Sequence, residues 1–239
     1  MVYWDEDDMK DLLVGQADGK IKLFLNIGTD DVPTFDGGSF LQVGESGSKA
    51  DIDVGYRATV SVVDWDNDDK KDLVVGASDS KIHLFLNEGT DSAPDFVSET
   101  FAQLGGFDLF VPSSRSSPVI LDLDGDNNKD LLTGNMNGEL LFYNNTGTDD
   151  APSFTSYSSI EADGIPIDLP GIPRSRPFVC DWTEDGQWDV LIGASDGKVH
   201  LYQGFPVAPI PTLSKWGMII FMTLMIGIGV VVLYRRRIV

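Results

Sequence analysis

The stretch VDWDNDDKKDLVVG, Val63 to Gly76, holds five aspartates within nine residues, Asp64, Asp66, Asp68, Asp69 and Asp72, and then turns apolar. Carboxylates at that density repel one another, so the cluster gains nothing as an isolated strand or helix face. Its spacing does suit a cation. In a tight loop, positions 1, 3 and 5 point to one side, which here means Asp64, Asp66 and Asp68. Position 7 is Lys70 and offers only its carbonyl, and Asp72 at position 9 closes the set as the next strand begins. Ca²⁺ takes six to eight oxygens at about 2.3–2.6 Å, largely from carboxylates and carbonyls, and tolerates irregular geometry. A second copy supplies Asp122, Asp124, Asp126 and Asp130 with the carbonyl of Asn128. Two further copies are poorer. One has Asp5, Asp7 and Asp11 but Tyr3 at position 1, and the other has Asp181, Asp185 and Asp189 but Thr183 at position 3. The expectation is two good sites, one fair and one doubtful. Zinc is disfavoured because the loops lack His and Cys. An EF-hand needs Glu at position 12, where Val75 and Thr133 stand.

The elements that must hold these loops come from the repeat. Asp5, Asp66, Asp124 and Thr183 are equivalent, so the spacings are 61, 58 and 59 residues. Each loop is preceded by a short apolar run (ATVSVV, PVILDL, PFVCDW) and followed by another (DLVVGA, DLLTGN, DVLIGA). A DG, DS or NG turn then opens a third, alternating run such as KIHLFLN. Three units go on to a Gly-Thr-Asp turn and a Pro-x-Phe element, with a weaker fourth strand near FVSETFAQL. Four short antiparallel strands in about 60 residues is the pattern of a propeller blade, which cannot bury both faces alone. The fold class expected is therefore all-β, with four propeller-type units of which the first and last are incomplete.

With these residues in view, the chain resembles the FG-GAP/VCBS-type repeats of integrin α-subunit propellers and of many bacterial surface proteins. The loop of those repeats reads D-x-D-x-D-G-x-x-D-L, and Asp122 to Leu131 departs from it only where Asn127 replaces Gly. The resemblance covers residues 1–204, with loops near 3–12, 64–73, 122–131 and 181–190, and implies a calcium-binding propeller. Because the end units fall short, the chain reads as an arc, or as the C-terminal part of a longer propeller that starts before Met1.

Charge and tail supply an address. All 38 acidic residues precede residue 206, and four of the 17 basic ones follow it, so the repeat region carries 13 positive charges against 38 negative, net −25. That excludes nucleic acid as a partner, since its binders need a basic footprint. Residues 205–215 are a Pro-rich linker. Residues 216–234, from Trp216 to Tyr234, are uncharged, and 19 helical residues rise about 28 Å against a hydrocarbon core of about 30 Å. Arg235, Arg236 and Arg237 follow in a basic tail, 235–239, which the positive-inside rule leaves cytoplasmic. Ile210, Pro211, Thr212 and Leu213 ahead of the span resemble the IPTL-type C-terminal sorting signal of Gram-negative bacteria, which implies recognition by a membrane transpeptidase-like sorting enzyme. The localisation expected is the bacterial envelope, with the repeats outside and the tail either kept as an anchor or cleaved. A single cysteine, Cys180, allows no intrachain disulfide, which leaves metal as the staple of an exported domain.

Other recurrent residues have less specific readings. Arg57, Arg115 and Arg174 each stand seven residues before the first loop Asp, at the start of a channel-lining strand. A structural ion pair is the preferred reading and ligand contact the alternative. His83 and His200 share their position with Lys22 and Leu141, which marks a strand face rather than a catalytic base. Trp4, Trp65 and Trp182 are expected to pack between units. No phosphate-binding loop or nucleophile signature is present. The function expected is therefore a non-enzymatic, Ca²⁺-stabilised module that binds an extracellular protein or polysaccharide. The alternative is the C-terminal fragment of a propeller-type polysaccharide lyase or hydrolase.

Overall fold

Each acidic loop joins two antiparallel strands, and the register fixes the loop's shape. In a computed structural model describing residues 2–5, 7–162, 165–169 and 174–205, Val63 pairs with Asp72, Leu121 with Asp130 and Cys180 with Asp189. The carboxylate at loop position 9 therefore stands beside the residue just before position 1.

The second unit is a four-stranded antiparallel sheet in simple sequence order, Thr59–Val63, Asp72–Gly76, Ile82–Phe85 and Thr100–Phe101. The third repeats it with Ser117–Leu121, Asp130–Gly134, Leu140–Tyr143 and Ser158–Ser159. In the first unit the leading strand is reduced to a single bridge between Val2 and Asp11, ahead of Leu12–Gly15, Ile21–Phe24 and Ser39–Phe40. The fourth has three strands, Arg176–Cys180, Trp188–Gly193 and Val199–Phe205. Two-residue hairpins link successive units, such as Gln42–Val43 with Ala50–Asp51, and no alternation in the sequence signals them. The architecture is all-β and β-propeller-like. First strands of the second, third and fourth units, with Val2 and Leu13 to Gly15 of the first, line a shared cavity of about 610 Å³.

The core lies between units rather than inside them. Leu73 and Val75 face one apolar cluster with Trp4, Ile21 and Phe96, whereas Val74 faces a second with Leu131, Tyr143 and Phe154. Strand Asp72–Gly76 is therefore buried on both faces, as are Ile82–Phe85 and Leu140–Tyr143. The alternation expected for the third strand survives in the two end units: Ile21 and Leu23 are buried and Lys22 and Phe24 only partly so, while Val199 and Leu201 are exposed and His200 and Tyr202 partly covered. Loop tryptophans couple the units. Trp65 meets Phe154 of the following Pro-x-Phe element with ring centroids 6.3 Å apart, and Trp4 shares a cluster with Phe96. Trp182 departs from the expectation: it is 60% exposed, since no following Phe covers it among the described residues.

Glycine sets how closely the units approach. A Cβ on Gly15, Gly76 or Gly134 would lie 2.3, 2.4 or 2.2 Å from the carbonyl oxygen of Ala58, Ser116 or Ser175 in the next unit. Around Gly193 the nearest such atom, Arg176 O in its own unit, is 4.0 Å away.

No helix among the described residues is long and apolar enough to cross a membrane. The Pro-rich linker, Ile210 to Leu213, the helix expected over 216–234 and the basic tail all lie outside the described residues.

Candidate metal centres

Three of the four loops gather carboxylates. Asp5, Asp7 and Asp11 form one group, Asp64, Asp66 and Asp72 a second, and Asp122, Asp124 and Asp130 a third, each with one oxygen per residue within 4.8 Å of the others. The first loop, expected to be poorer for want of a carboxylate at position 1, still gathers three carboxylates by using position 5, Asp7. Asp68 and Asp126 lie outside these triads. Asp68 accepts the Lys70 backbone N–H at 3.1 Å and pairs with the Lys70 ammonium at 2.8 Å, and Asp126 accepts the Asn128 N–H at 2.8 Å. Asp181, Asp185 and Asp189 form no such group among the described residues. Thr183 supplies its hydroxyl to Asp189 Oδ2 at 3.1 Å, so the substitution at position 3 replaces a carboxylate with a donor.

Position 9 has a task the spacing alone does not reveal. Asp72 accepts the Trp65 N–H on Oδ2 (2.8 Å) and the Asn87 N–H on Oδ1 (2.7 Å), tying its own loop to the end of the third strand. Asp11 does the same with Trp4 and Asn26, Asp130 with Leu123 and Asn145, and Asp189 with Thr183 and Gly204. All four are fully or almost fully buried. Each such oxygen keeps a second lone pair, so the clamp and a metal bond are compatible.

The charge balance is unfavourable without a cation. Burial, the largest influence, pushes Asp72 and Asp130 up to about 6 despite their backbone hydrogen bonds, and neighbouring loop carboxylates push the same way. Asp5, Asp66 and Asp124 are likewise raised, by burial first and by adjacent aspartates next. Oδ1 of Asp5 and Oδ1 of Asp66 are buried with no hydrogen-bond donor. Orphaned anionic oxygens facing other carboxylates, with no soft ligand nearby, fit a hard divalent cation.

The flanking residues explain further parts of the repeat. Asp91 of a Gly-Thr-Asp turn accepts the Lys71 backbone N–H at 2.7 Å and pairs with its ammonium; Asp149 and Lys129 do likewise, at 2.8 Å for each bond. Buried Asn87 accepts from Gly89 (3.0 Å) and Asp95 (2.9 Å), shaping the turn that presents Asp91. Ser116 and Ser175 belong to no motif in the sequence, yet both join neighbouring units. Ser116 Oγ accepts the Ala77 N–H at 2.9 Å and donates to Lys81 O at 2.6 Å, and Ser175 repeats this with Asn135 and Glu139. Their only signal is a serine following Arg115 and Arg174.

His83 is buried between Glu99 and Asp79. Desolvation lowers its pKa, but the two carboxylates outweigh it and the net shift is upward. The arginines differ from the preferred reading, since among the described residues none of Arg57, Arg115 and Arg174 makes an ion pair.

Residues 64–133, from the second acidic loop through the strand after the third, match the FG-GAP-like repeat family. No curated protein matches the chain. The matched segment is the part in which both carboxylate triads have an Asp at position 1 and both adjoining sheets have four strands.

Proposed function

We propose that the chain is a calcium-stabilised recognition module of the bacterial cell envelope, with its repeats outside the cytoplasm, and not an enzyme. Asp64, Asp66 and Asp72 would hold one ion, Asp122, Asp124 and Asp130 a second, and Asp5, Asp7 and Asp11 a third. Asp68 and Asp126 stand by in the same loops. The fourth loop would bind weakly or not at all. The bound ion supplies charge neutralisation and a fixed crosslink between two strands, so its binding energy becomes folding energy. The envelope address rests on the tail, through Ile210 to Leu213 and the apolar span after them. The FG-GAP-like repeat supports a role in recognising an extracellular protein or polysaccharide.

The observation that carries the metal reading is the recurrence of a carboxylate triad in three repeats, built on positions 3 and 9 in each, with the unpartnered oxygens of Asp5 and Asp66 inside two of them. Thermal unfolding in calcium and in chelator tests it. The melting temperature should rise with calcium concentration, and Asp66→Asn combined with Asp124→Asn should remove most of the rise. Equal melting temperatures in calcium and chelator would overturn the reading.

A further inference from the structure

Arg57, Arg115 and Arg174 hold left-handed backbone conformations, with φ of 61°, 59° and 76°. That region is costly for a residue with a side chain and free for glycine. The turns adopt it because the chain there crosses from one unit to its neighbour. Arg57 N–H donates to Ala17 O and Arg174 N–H to Met136 O, each at 3.1 Å. Backbone economy would favour glycine, yet arginine stands there three times.

The three side chains, joined by Arg176, line one narrow recess of about 10 Å³. Thr59, Ser117 and Arg176 belong both to this recess and to the 610 Å³ cavity, so the two adjoin. None of the four guanidinium groups has a carboxylate partner among the described residues, although the repeat region carries 38 acidic side chains. Nε of Arg57 and Nε of Arg174 are buried without an acceptor. Burial lowers the pKa of Arg115, and the charges of Arg57, Arg174 and Arg176 lower it further. Gathering four like charges away from every available counter-ion is unfavourable unless an anion completes the set. Packing accounts for only part of this, since Arg57 alone stacks on an aromatic ring, that of Tyr56 at 5.0 Å.

The surroundings narrow the ligand. A net charge of −25 over the repeat region repels a dense polyanion, so the anion should be carried singly or sparsely. Phe178, 61% exposed on the cavity wall, offers an apolar face to the C–H face of a pyranose ring. We infer that the arginine cluster binds the carboxylate of a uronic acid unit at the mouth of this recess, with its sugar ring in the adjoining cavity. Planar guanidinium forks suit a carboxylate through paired hydrogen bonds. The inference rests on the reading of the chain as a recognition module and names the ligand class for it.

Calorimetric titration of the full chain in calcium tests it, with methyl glucuronide as the probe. Methyl glucoside, sulfate and a short peptide with a free terminal carboxylate serve as comparisons. Methyl glucuronide should bind, more weakly as salt rises, and Arg115→Gln and Arg57→Gln should each lower its affinity at least about tenfold while unfolding stays cooperative. Absence of binding, equal binding of the glucoside, equal or tighter binding of sulfate or the peptide, or indifference to both substitutions would overturn the assignment. If calcium raises the melting temperature but the glucuronide fails to bind, this inference fails alone. If calcium leaves the melting temperature unchanged, the metal reading fails whatever the sugar does.

Discussion

The second and fourth units carry nearly the same string of residue types and meet different fates. Trp65 is 7% exposed and Trp182 is 60% exposed. Gly76 touches the next unit, whereas Gly193 faces open space. Asp64, Asp66 and Asp72 converge, whereas Asp181, Asp185 and Asp189 do not. What the two share is the clamp: Asp72 and Asp189 both tie the loop to the end of the third strand through two backbone N–H groups. The clamp is made within one unit and needs no neighbour. Burial of the tryptophan, and the need for a side-chain-free glycine, are supplied by the following unit.

Paired substitutions in the two units should therefore behave unequally. Trp65→Ala should destabilise the fold by about 3–5 kcal/mol, as removal of a buried aromatic does, and Trp182→Ala by less than about 0.5 kcal/mol. Urea unfolding measures both, and equal costs would mean that units do not stabilise one another through this contact. Gly134→Ala should cost about 1–3 kcal/mol because its Cβ would collide with the Ser175 backbone, while Gly193→Ala should be close to neutral. Ser175→Ala should cost about 1–2 kcal/mol by leaving the buried Asn135 N–H and Glu139 carbonyl without their shared hydroxyl.

The pH dependence gives a finer contrast. Asp72 and Asp130 are pushed up to about 6 by burial, so the folded state binds their protons more tightly than the unfolded state, where the value is near 3.8. In chelator, their contribution to stability is fully present below about pH 4 and is lost as pH rises through about 6. Asp189 behaves oppositely. The Gly204 N–H, first among its influences, helps hold its pKa below the usual value, so its contribution is present above about pH 4 and lost as pH falls further. Unfolding followed from pH 4 to 7 should show the decline in chelator, a smaller one in Asp72→Asn, and its reversal in calcium. A flat profile in chelator would remove the electrostatic case for a cation.

Much of the local structure was legible in the residues. The spacing of 61, 58 and 59, the DG-type turns and the alternating runs place the strands, because those signals act over a few residues. The triads at Asp64 and Asp122 were legible for the same reason, being set by one loop and one strand register. The two-residue hairpins between units were not, since a single backbone pair leaves no periodicity to read. His83 lies on a strand, as its repeat position implies, but its burial and its pairing with Glu99, just before the fourth strand, are not readable from that position. The ion pairs expected of the arginines required distant carboxylates to fall within reach, and the sequence carries no information about that distance.

Linear order therefore settled which residues form each sheet and which carboxylates share a loop, because turns, alternation and short-range register are fixed by neighbours in the chain. Only packing of one unit on the next decided that Leu73–Val75 is covered on both faces, that Trp182 is bare, and that Arg57, Arg115 and Arg174, some sixty residues apart, line one recess. Those outcomes depend on where separate sheets come to rest against each other, a property of buried surface rather than of neighbouring residues.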